Sequence, residues 1–174
     1  MTNSIAINRL SSEDAHSAVT ALANVLMDCV SAGASVSFMA DLTRAQAVVF
    51  WQGEIAAQDG RVILVAQDEA GICGVVQVIP AWPPNQPHRA DIAKMLVHRS
   101  ARRKGVGEAL LAAAEVAARE MGRTVLVLDT VTGGDAERLY GRNGWVAVGS
   151  IPDYALMPDG ALCATTVFYK ALPQ

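Results

Sequence analysis

The stretch from Leu96 to Leu111, LVHRSARRKGVGEALL, most constrains the fold, since it joins the end of a strand to a basic, glycine-containing turn and the start of a helix. Apolar residues continue at helical spacing to Met121. Thr124–Leu128, TVLVL, is apolar at every position but the first, which is typical of a strand covered on both faces. This strand, helix and strand predict a parallel pair with a right-handed crossover.

The remaining elements follow from periodicity and turn residues. Strands are predicted around Ile5–Leu10, Arg61–Ala66, Ile72–Ile79, Ala90–Val97, Trp145–Val148 and Ala161–Tyr169, and further helices over about Glu13–Val30, Asp41–Gln58 and Ala136–Arg142. Loops are predicted at Pro80–Pro87 and Pro152–Gly160. The order predicts one α/β domain, of the α+β mixed kind, over residues 1–174 with a mixed sheet.

Composition excludes several classes of function. The chain is 52% hydrophobic with a net charge of −3, and its basic residues concentrate in one short run, so nucleic-acid binding is not expected. Cys29, Cys73 and Cys163 are odd in number and lack metal-ligand spacing, which argues against a disulfide framework or a metal site. No signal-peptide core and no membrane-length apolar run are present, so a soluble cytoplasmic protein is expected.

The basic turn Arg102–Gly107 has the features of an anion site. A helix N-terminus offers free backbone N–H groups and a positive dipole end, and glycines let a ligand approach the backbone. A dinucleotide site needs G-x-G-x-x-G and a P-loop needs G-x-x-x-x-G-K-[ST], and neither string is complete here. The remaining pattern is R-x-x-G-x-G, with an ordinary helix-capping loop as the alternative.

Two linked motifs resemble the GCN5-related N-acetyltransferases. The first is R-x-x-G-x-G, and the second is Ala136-x-x-Leu139-Tyr140 followed by Gly144-Trp145. The resemblance implies an acyl-CoA N-acyltransferase fold, whose mixed, mostly antiparallel sheet has a central parallel strand pair flanked by helices, with acetyl-CoA as co-substrate and no metal. Gly133 departs from the asparagine that many members carry, so that side-chain contact to the cofactor is absent.

A closer resemblance concerns the acceptor. Gly33–Leu42, Leu128–Thr130 and Pro158–Gly160 are similar to segments of the tabtoxin-resistance and kasugamycin 2′-N-acetyltransferase group. This likeness implies acetylation of a small-molecule amine in antibiotic resistance, with an aminoglycoside such as kasugamycin favoured over tabtoxinine-β-lactam. Acetylation of a protein N-terminus or lysine, a non-catalytic acyl-CoA-binding module and a homodimer remain open.

The resemblance also implies site residues. Cofactor contacts are expected from Met95, Leu96, Val97, Arg102, Arg103, Lys104, Gly105, Val106, Gly107, Glu108, Tyr140 and Arg142. Tyr140 is expected to protonate the CoA sulfur, with a core tyrosine as the alternative. Asp91 and Asp129 are candidate bases or cation-binding groups, with water or a structural role as alternatives. From residue type and predicted position, substrate contacts are expected from Phe38, Asp41, Trp51, Trp82, Asp91, Asp129 and Tyr154. The alternatives are a core position for the first and third of these and a solvated charge for the second.

Overall fold

The computed structural model describes residues 5–173 as a single sheet with helices on both faces. In chain order the elements are β1 (Ala6–Arg9), α1 (Ser12–Ser31), α2 (Arg44–Ala56), β2 (Val62–Asp68), β3 (Gly71–Pro80), β4 (Arg89–Val97), a 3₁₀ turn (Arg99–Ala101), α3 (Val106–Glu120), β5 (Val125–Val131), α4 (Asp135–Arg142), β6 (Val146–Leu156) and β7 (Leu162–Ala171).

The strand order is β1-β2-β3-β4-β5-β7-β6, and every described pairing is antiparallel except that of β4 with β5. This confirms the predicted mixed sheet with a central parallel pair. The crossover between the two parallel strands is α3, as the sequence indicates. A parallel connection needs a segment long enough to bring the chain back to the end of the sheet where the first strand began.

Two apolar clusters lie on opposite faces of this sheet. Side chains alternate along a strand, so Val62 and Leu64 pack with α3 while Ile63 and Val65 pack with α1 and α2. Covering on both faces explains why β2 and β5 read as nearly continuous apolar runs. The core therefore holds the central strands rigidly from both sides.

Short-range signals fix most element ends. The Ser11 side chain accepts from the Asp14 backbone at 3.1 Å and caps α1. Thr43 and Gln46 form a capping box, so α2 begins at Arg44 rather than at the predicted Asp41. At the β2–β3 turn, Asp68 accepts from the Ala70 amide at 2.9 Å, which confirms the predicted hairpin.

The prediction for the region after Trp145 is wrong in one respect. β6 does not stop at Val148 but runs for 11 residues to Leu156, through much of the predicted Pro152–Gly160 loop. An edge strand tolerates proline because one side of its backbone needs no partner. The register shifts between Ile151 and Ala155, and Asp153 takes a φ of 51°, so the extra length is absorbed by a bulge.

No helix within residues 5–173 combines the length and apolar character needed to cross a bilayer.

Candidate active site

The site is built where the two parallel strands separate. β4 and β5 pair only at Arg89–Val125, Ala90–Leu126 and Asp91–Val127. Beyond Asp91, no strand within residues 5–173 pairs with the edge of β4 that faces β5. A cavity of about 260 Å³ opens there, lined by Asp91, Ile92, Ala93, Val127, Leu128, Asp129, Tyr154 and Val167.

A bulge in β4 lies beside this opening. Val75 faces Leu96 and Gln77 faces Ala93, so the two residues Lys94 and Met95 stand opposite one residue of β3. Lys94 has a φ of 49°, a conformation that is costly for a residue with a Cβ atom. Bulges of this kind redirect side chains next to active sites.

The basic turn presents its backbone to solvent at the start of α3. Gly105 caps the helix in the left-handed conformation, with a φ of 78° and no side-chain cap. In the described chain, the N–H groups of Val106, Gly107 and Glu108 have no acceptor in hydrogen-bonding geometry. Arg103 and Lys104 are exposed beside them. Unsatisfied amides, a positive helix end and cationic side chains fit a pyrophosphate.

The turn is fastened to α1 and β4. The Asp28 carboxylate accepts from the Arg99 amide at 2.8 Å and pairs with the Arg99 guanidinium. Burial acts to raise the pKa of Asp28, but the Arg99 hydrogen bonds and the nearby His98 and Arg99 charges outweigh it and hold that pKa below its usual value. The Arg102 Nε donates to the Val97 carbonyl at 3.1 Å, so this arginine also holds the turn against β4.

Tyr140 occupies the core on the α3 side of the sheet. It is 4% exposed and its ring packs against Trp145 and Phe168 with centroids 5.7 and 5.9 Å away. Burial, together with the negative charge of Asp129, raises the pKa of Tyr140 well above its usual value. Its hydroxyl therefore keeps its proton at any physiological pH, which is the state a proton donor requires.

The two predicted carboxylates share the cavity but have different partners. Asp91 forms an ion pair with Arg89 on its own strand. Asp129 is exposed at the end of β5 and accepts from the buried Thr165 hydroxyl at 2.8 Å. The structure thus brings Asp91, Asp129 and Tyr154 to one cavity, as their predicted role requires.

Other predicted substrate residues lie elsewhere. Trp51 is fully buried in the cluster beneath α1 and α2, so it is a core side chain and cannot contact a substrate in this conformation. Trp82 is 90% exposed in the loop before β4 and does not line the cavity. Asp41 is exposed in the turn before α2. Phe38 packs edge-on against Phe50, 5.1 Å between centroids, in the α1–α2 region.

The predicted cofactor residues belong to β4, the basic turn and α4. The Met95 and Val97 side chains pack toward α3, whereas the Leu96 side chain packs toward α1, so only their shared backbone edge faces the gap. Gly107 has Leu139 above it, where an added Cβ would come within 3.1 Å of a methyl group. Arg142 is exposed at the end of α4.

The sequence analysis does not predict where the Lys94 side chain lies. Its Nζ lies 5.7 Å from the Phe50 ring centroid and 3.3 Å from the Ser37 hydroxyl oxygen. The available signal was a cation in the apolar half of β4 with no opposite charge beside it in sequence.

Two segments identified by resemblance meet beside the site. The Ser35 hydroxyl donates to the Leu156 carbonyl at 2.8 Å, and the Ala40 amide donates to the Pro158 carbonyl at 3.1 Å. A second cavity of about 210 Å³ lies at this seam. The Cys163 thiol also donates to the Ser35 hydroxyl at 4.0 Å, so the α1–α2 loop and the β6–β7 hairpin form one wall, joined by three hydrogen bonds.

Among residues 5–173, no three His, Cys, Asp or Glu side chains come together as a group that could hold a metal ion.

Solved structures share this architecture. A candidate phosphinothricin N-acetyltransferase is 19% identical with a TM-score of 0.80, covering 98% of this chain and 100% of its own. A candidate acetyltransferase from Salmonella typhimurium, solved with its cofactor acetyl-CoA, is 18% identical with a TM-score of 0.78, covering 99% and 96%. A ribosomal-protein-alanine N-acetyltransferase from Brucella melitensis is 21% identical with a TM-score of 0.75, covering 96% and 99%.

These likenesses establish the fold. The family itself is established by sequence, because the acetyltransferase (GNAT) domain matches residues 59–147, just over half of the chain. That span contains β2–β5, the bulge, the basic turn, α3 and α4, which are the elements that build the site. The chain therefore belongs to the GNAT acetyltransferases, enzymes that transfer the acetyl group of acetyl-CoA to an amine.

Proposed function

We propose that this enzyme acetylates an amino group of a small antibiotic or toxin, and that the favoured acceptor is an aminoglycoside such as kasugamycin at its 2′ amine. The observation that carries the proposal is the cavity between β4 and β5, where two carboxylates and the Tyr154 side chain surround a space of about 260 Å³. Carboxylates attract a cationic amino sugar, and an aromatic side chain can pack against a sugar ring.

The basic turn is the proposed holder of the cofactor. The Val106, Gly107 and Glu108 amides and the side chains of Arg103 and Lys104 bind the pyrophosphate. The edge of β4 over Met95–Val97 that faces β5 offers backbone groups to the pantetheine arm. The exposed side chain of Arg142, at the end of α4, is a further proposed contact to the cofactor. Acetyl-CoA supplies the acetyl thioester.

Asp129 and Asp91 have different proposed roles in binding the acceptor. Asp129 is free of ion pairs in the described chain and is held in place by Thr165, so it binds the acceptor ammonium. Asp91 is balanced by Arg89 and shapes the cavity wall. Tyr140 lies on the far side of β5 with its proton retained, and it donates that proton to the leaving sulfur.

The test is direct acetylation of named amines. The enzyme is incubated with acetyl-CoA and, separately, kasugamycin, tabtoxinine-β-lactam, phosphinothricin or an N-terminal alanine peptide of a ribosomal protein. Acetylation is measured as an added acetyl mass and as released CoA thiol. Modification of kasugamycin at the 2′ amine is expected.

The other outcomes are equally specific. Modification of either amino acid alone would replace the aminoglycoside by a small amino-acid acceptor at the same site. Modification of the peptide alone would move the acceptor to a protein N-terminus. Binding of acetyl-CoA without thiol release for any amine would favour the non-catalytic binding module instead.

A further inference from the structure

One face of the last three strands of the sheet has no helix over it. The apolar cluster beneath α1 and α2 takes its strand residues from β2, β3 and β4, and it includes none from β5, β6 or β7. The helix that contacts β5 is α4, and its Tyr140 packs with Phe168 of β7 in the cluster on the opposite face. Within residues 5–173, the side of β5, β7 and β6 that continues the α1–α2 face is therefore uncovered by any helix.

The strand register identifies the side chains on this uncovered side. Side chains alternate along a strand, and directly paired residues of neighbouring strands lie on the same face. Phe168 packs in the cluster beneath α3, so Thr165, Val167 and Tyr169 lie on the other face. With their partners in β5 and β6 they form a surface, here called the C-terminal face, whose apolar members are Val127, Val146, Ile151, Val167 and Tyr169.

The C-terminal face is apolar and largely exposed. Val146, Ile151 and Tyr169 are exposed, and most of the other exposed large apolar side chains of residues 5–173 also belong to β6 and β7. Among the residues paired across the face, the charged one is Asp129, which lies on β5, away from the open edge of the sheet. Contiguous apolar surface, as opposed to single exposed side chains, is typical of a protein–protein contact.

The strand at the edge of this face is only partly protected against pairing. Its first half, Val146–Ile151 (VAVGSI), contains no charged residue and no proline, although its register shifts beside Val148. Natural edge strands usually carry such residues, because an open row of backbone groups otherwise pairs with another chain. Pro152 and the bulge at Asp153 interrupt only the second half. A partner seated on the C-terminal face would also cover the open first half.

The size of the face suits a second copy of this chain. The three strands have seven to eleven residues each. Strands about 4.8 Å apart with about 3.3 Å per residue then span roughly 15 Å by 30 Å. Side chains expose more area than this flat rectangle of roughly 450 Å², which brings the face and its open edge toward the about 800 Å² that each subunit buries in a standard interface.

The charges of the face also favour a second copy. A two-fold axis places a surface against itself, so any charge at its centre would meet its own copy. The centre, over β6 and β7, is uncharged, and Asp129 lies toward the margin. A nucleic acid or an anionic lipid surface would need cations, and the paired residues of the face include no lysine or arginine.

We propose that two copies of this chain associate through the C-terminal face, with the two-fold axis over β6 and β7. The proposal gives a surface to the homodimer that the sequence leaves open. Val127, Asp129 and Val167 belong both to this face and to the lining of the acceptor cavity. The partner copy therefore covers part of the cavity, and the acceptor side of the site is incomplete in a single chain.

The first test measures mass in solution by light scattering and by sedimentation equilibrium. The wild type should have twice the chain mass of 18.3 kDa. Val146→Glu should raise the dimer Kd at least about 100-fold, because each dimer would bury two unpaired carboxylates. Val116→Glu is the matched control, since it makes the same substitution on α3 at a side chain that is 52% exposed, compared with 49% for Val146, and it should stay dimeric.

A second variant and a second measurement keep the surface testable if Val146→Glu folds poorly. Ile151→Lys should also be monomeric, and thermal unfolding shows whether each variant is folded. Hydrogen exchange of the wild type should show protection of Val146–Ile151 that increases with protein concentration, while α3 stays unchanged. A monomeric wild type, folded variants that remain dimeric, or concentration-dependent protection confined to other elements would each overturn the proposal.

A third test connects the dimer to the acceptor cavity, and this step rests on the proposed function. Val146→Glu should bind acetyl-CoA with the wild-type Kd, because α3 and the basic turn belong to the opposite face of the sheet. Its KM for kasugamycin should rise at least several-fold. An unchanged KM in the monomer would overturn the contribution of the partner to the cavity. If kasugamycin is not acetylated at all, the acceptor class fails, while mass and hydrogen exchange still decide the dimer.

Discussion

At the scale of single residues, burial shifts the pKa values of Tyr140 and Lys94 in opposite directions from the same physical cause. Removing water disfavours the charged form of any side chain. For Tyr140 that form is the phenolate, so burial keeps its proton in place. For Lys94 it is the ammonium, so burial favours release of the proton. The two groups belong to opposite faces of the sheet.

Removing the Tyr140 hydroxyl should slow the chemistry without loosening the cofactor. Tyr140→Phe keeps the ring that packs against Trp145 and Phe168, so stability should change little. A donor needed only in the transition state lowers kcat and kcat/KM together, and we expect a fall of about 100-fold. Steady-state kinetics and thermal unfolding provide the measurement.

The pH profile of the wild type supplies an independent check on the same residue. Because the pKa of Tyr140 is raised, the donor stays protonated through pH 10, and kcat should not fall between pH 8 and 10 through loss of this proton. Unchanged kcat in Tyr140→Phe would make Tyr140 a packing residue and leave water to protonate the thiolate.

At the scale of elements, the start of α3 is proposed to bind the cofactor pyrophosphate through its free backbone N–H groups. Glu108→Pro removes one free amide in the first helical turn, where proline is tolerated, and the preceding Gly107 has no Cβ to clash with the ring. The acetyl-CoA KM should rise at least several-fold. Glu108→Ala is the matched control, since it loses the same carboxylate but keeps the amide, and its KM should stay equal or fall.

Elements governed by local rules were predictable and the bulge was not. Periodicity, caps and turn residues place α1, α3 and the β4–α3–β5 unit because each depends on neighbours in sequence. The change of face within β4 depends on packing against two different helical layers, so a regular reading of Ala90–Val97 leaves Lys94 beside Ile92 and Leu96 on one face. For that reason the sequence alone does not predict the face on which Lys94 lies.

The length of β6 was missed for a related reason. Pro152 argues against a central strand, but β6 lies at the edge of the sheet, and the position of a strand in the sheet is a tertiary property. Trp51 was predicted to contact the substrate but is a core side chain. An aromatic residue on α2 can face either a pocket or the core, and only the packing of the whole fold decides which.

At the scale of the whole molecule, Asp28 links α1 to the cofactor turn through a half-buried carboxylate. Its pKa is lowered in the folded state, so its contribution to stability is complete above the unfolded value of about 3.8. That contribution is lost as pH falls through the folded pKa. Urea unfolding between pH 2.5 and 7 should show Asp28→Asn less stable than wild type by about 2 kcal/mol at pH 7.

The two unfolding curves should converge as pH falls below the folded pKa of Asp28, because a protonated Asp28 has lost the same charge as the asparagine. Glu69→Gln, at the exposed β2–β3 turn, is the control and should follow wild type throughout. A constant difference between Asp28→Asn and wild type at all pH values would mean that packing, rather than charge, accounts for the loss.

The acceptor side depends on a contact between segments more than 100 residues apart, where Ser35 donates to the Leu156 carbonyl. Ser35→Ala removes that hydrogen bond and loosens the wall made by the α1–α2 loop and the β6–β7 hairpin. The acceptor KM should rise about fivefold, as expected for loss of roughly 1 kcal/mol, while the acetyl-CoA KM stays unchanged. Ser17→Ala, whose hydroxyl donates to the Asp14 carbonyl within α1, is the comparison variant and should leave the acceptor KM unaltered. Equal effects on both KM values in Ser35→Ala would show that the wall supports the whole cleft rather than the acceptor side alone.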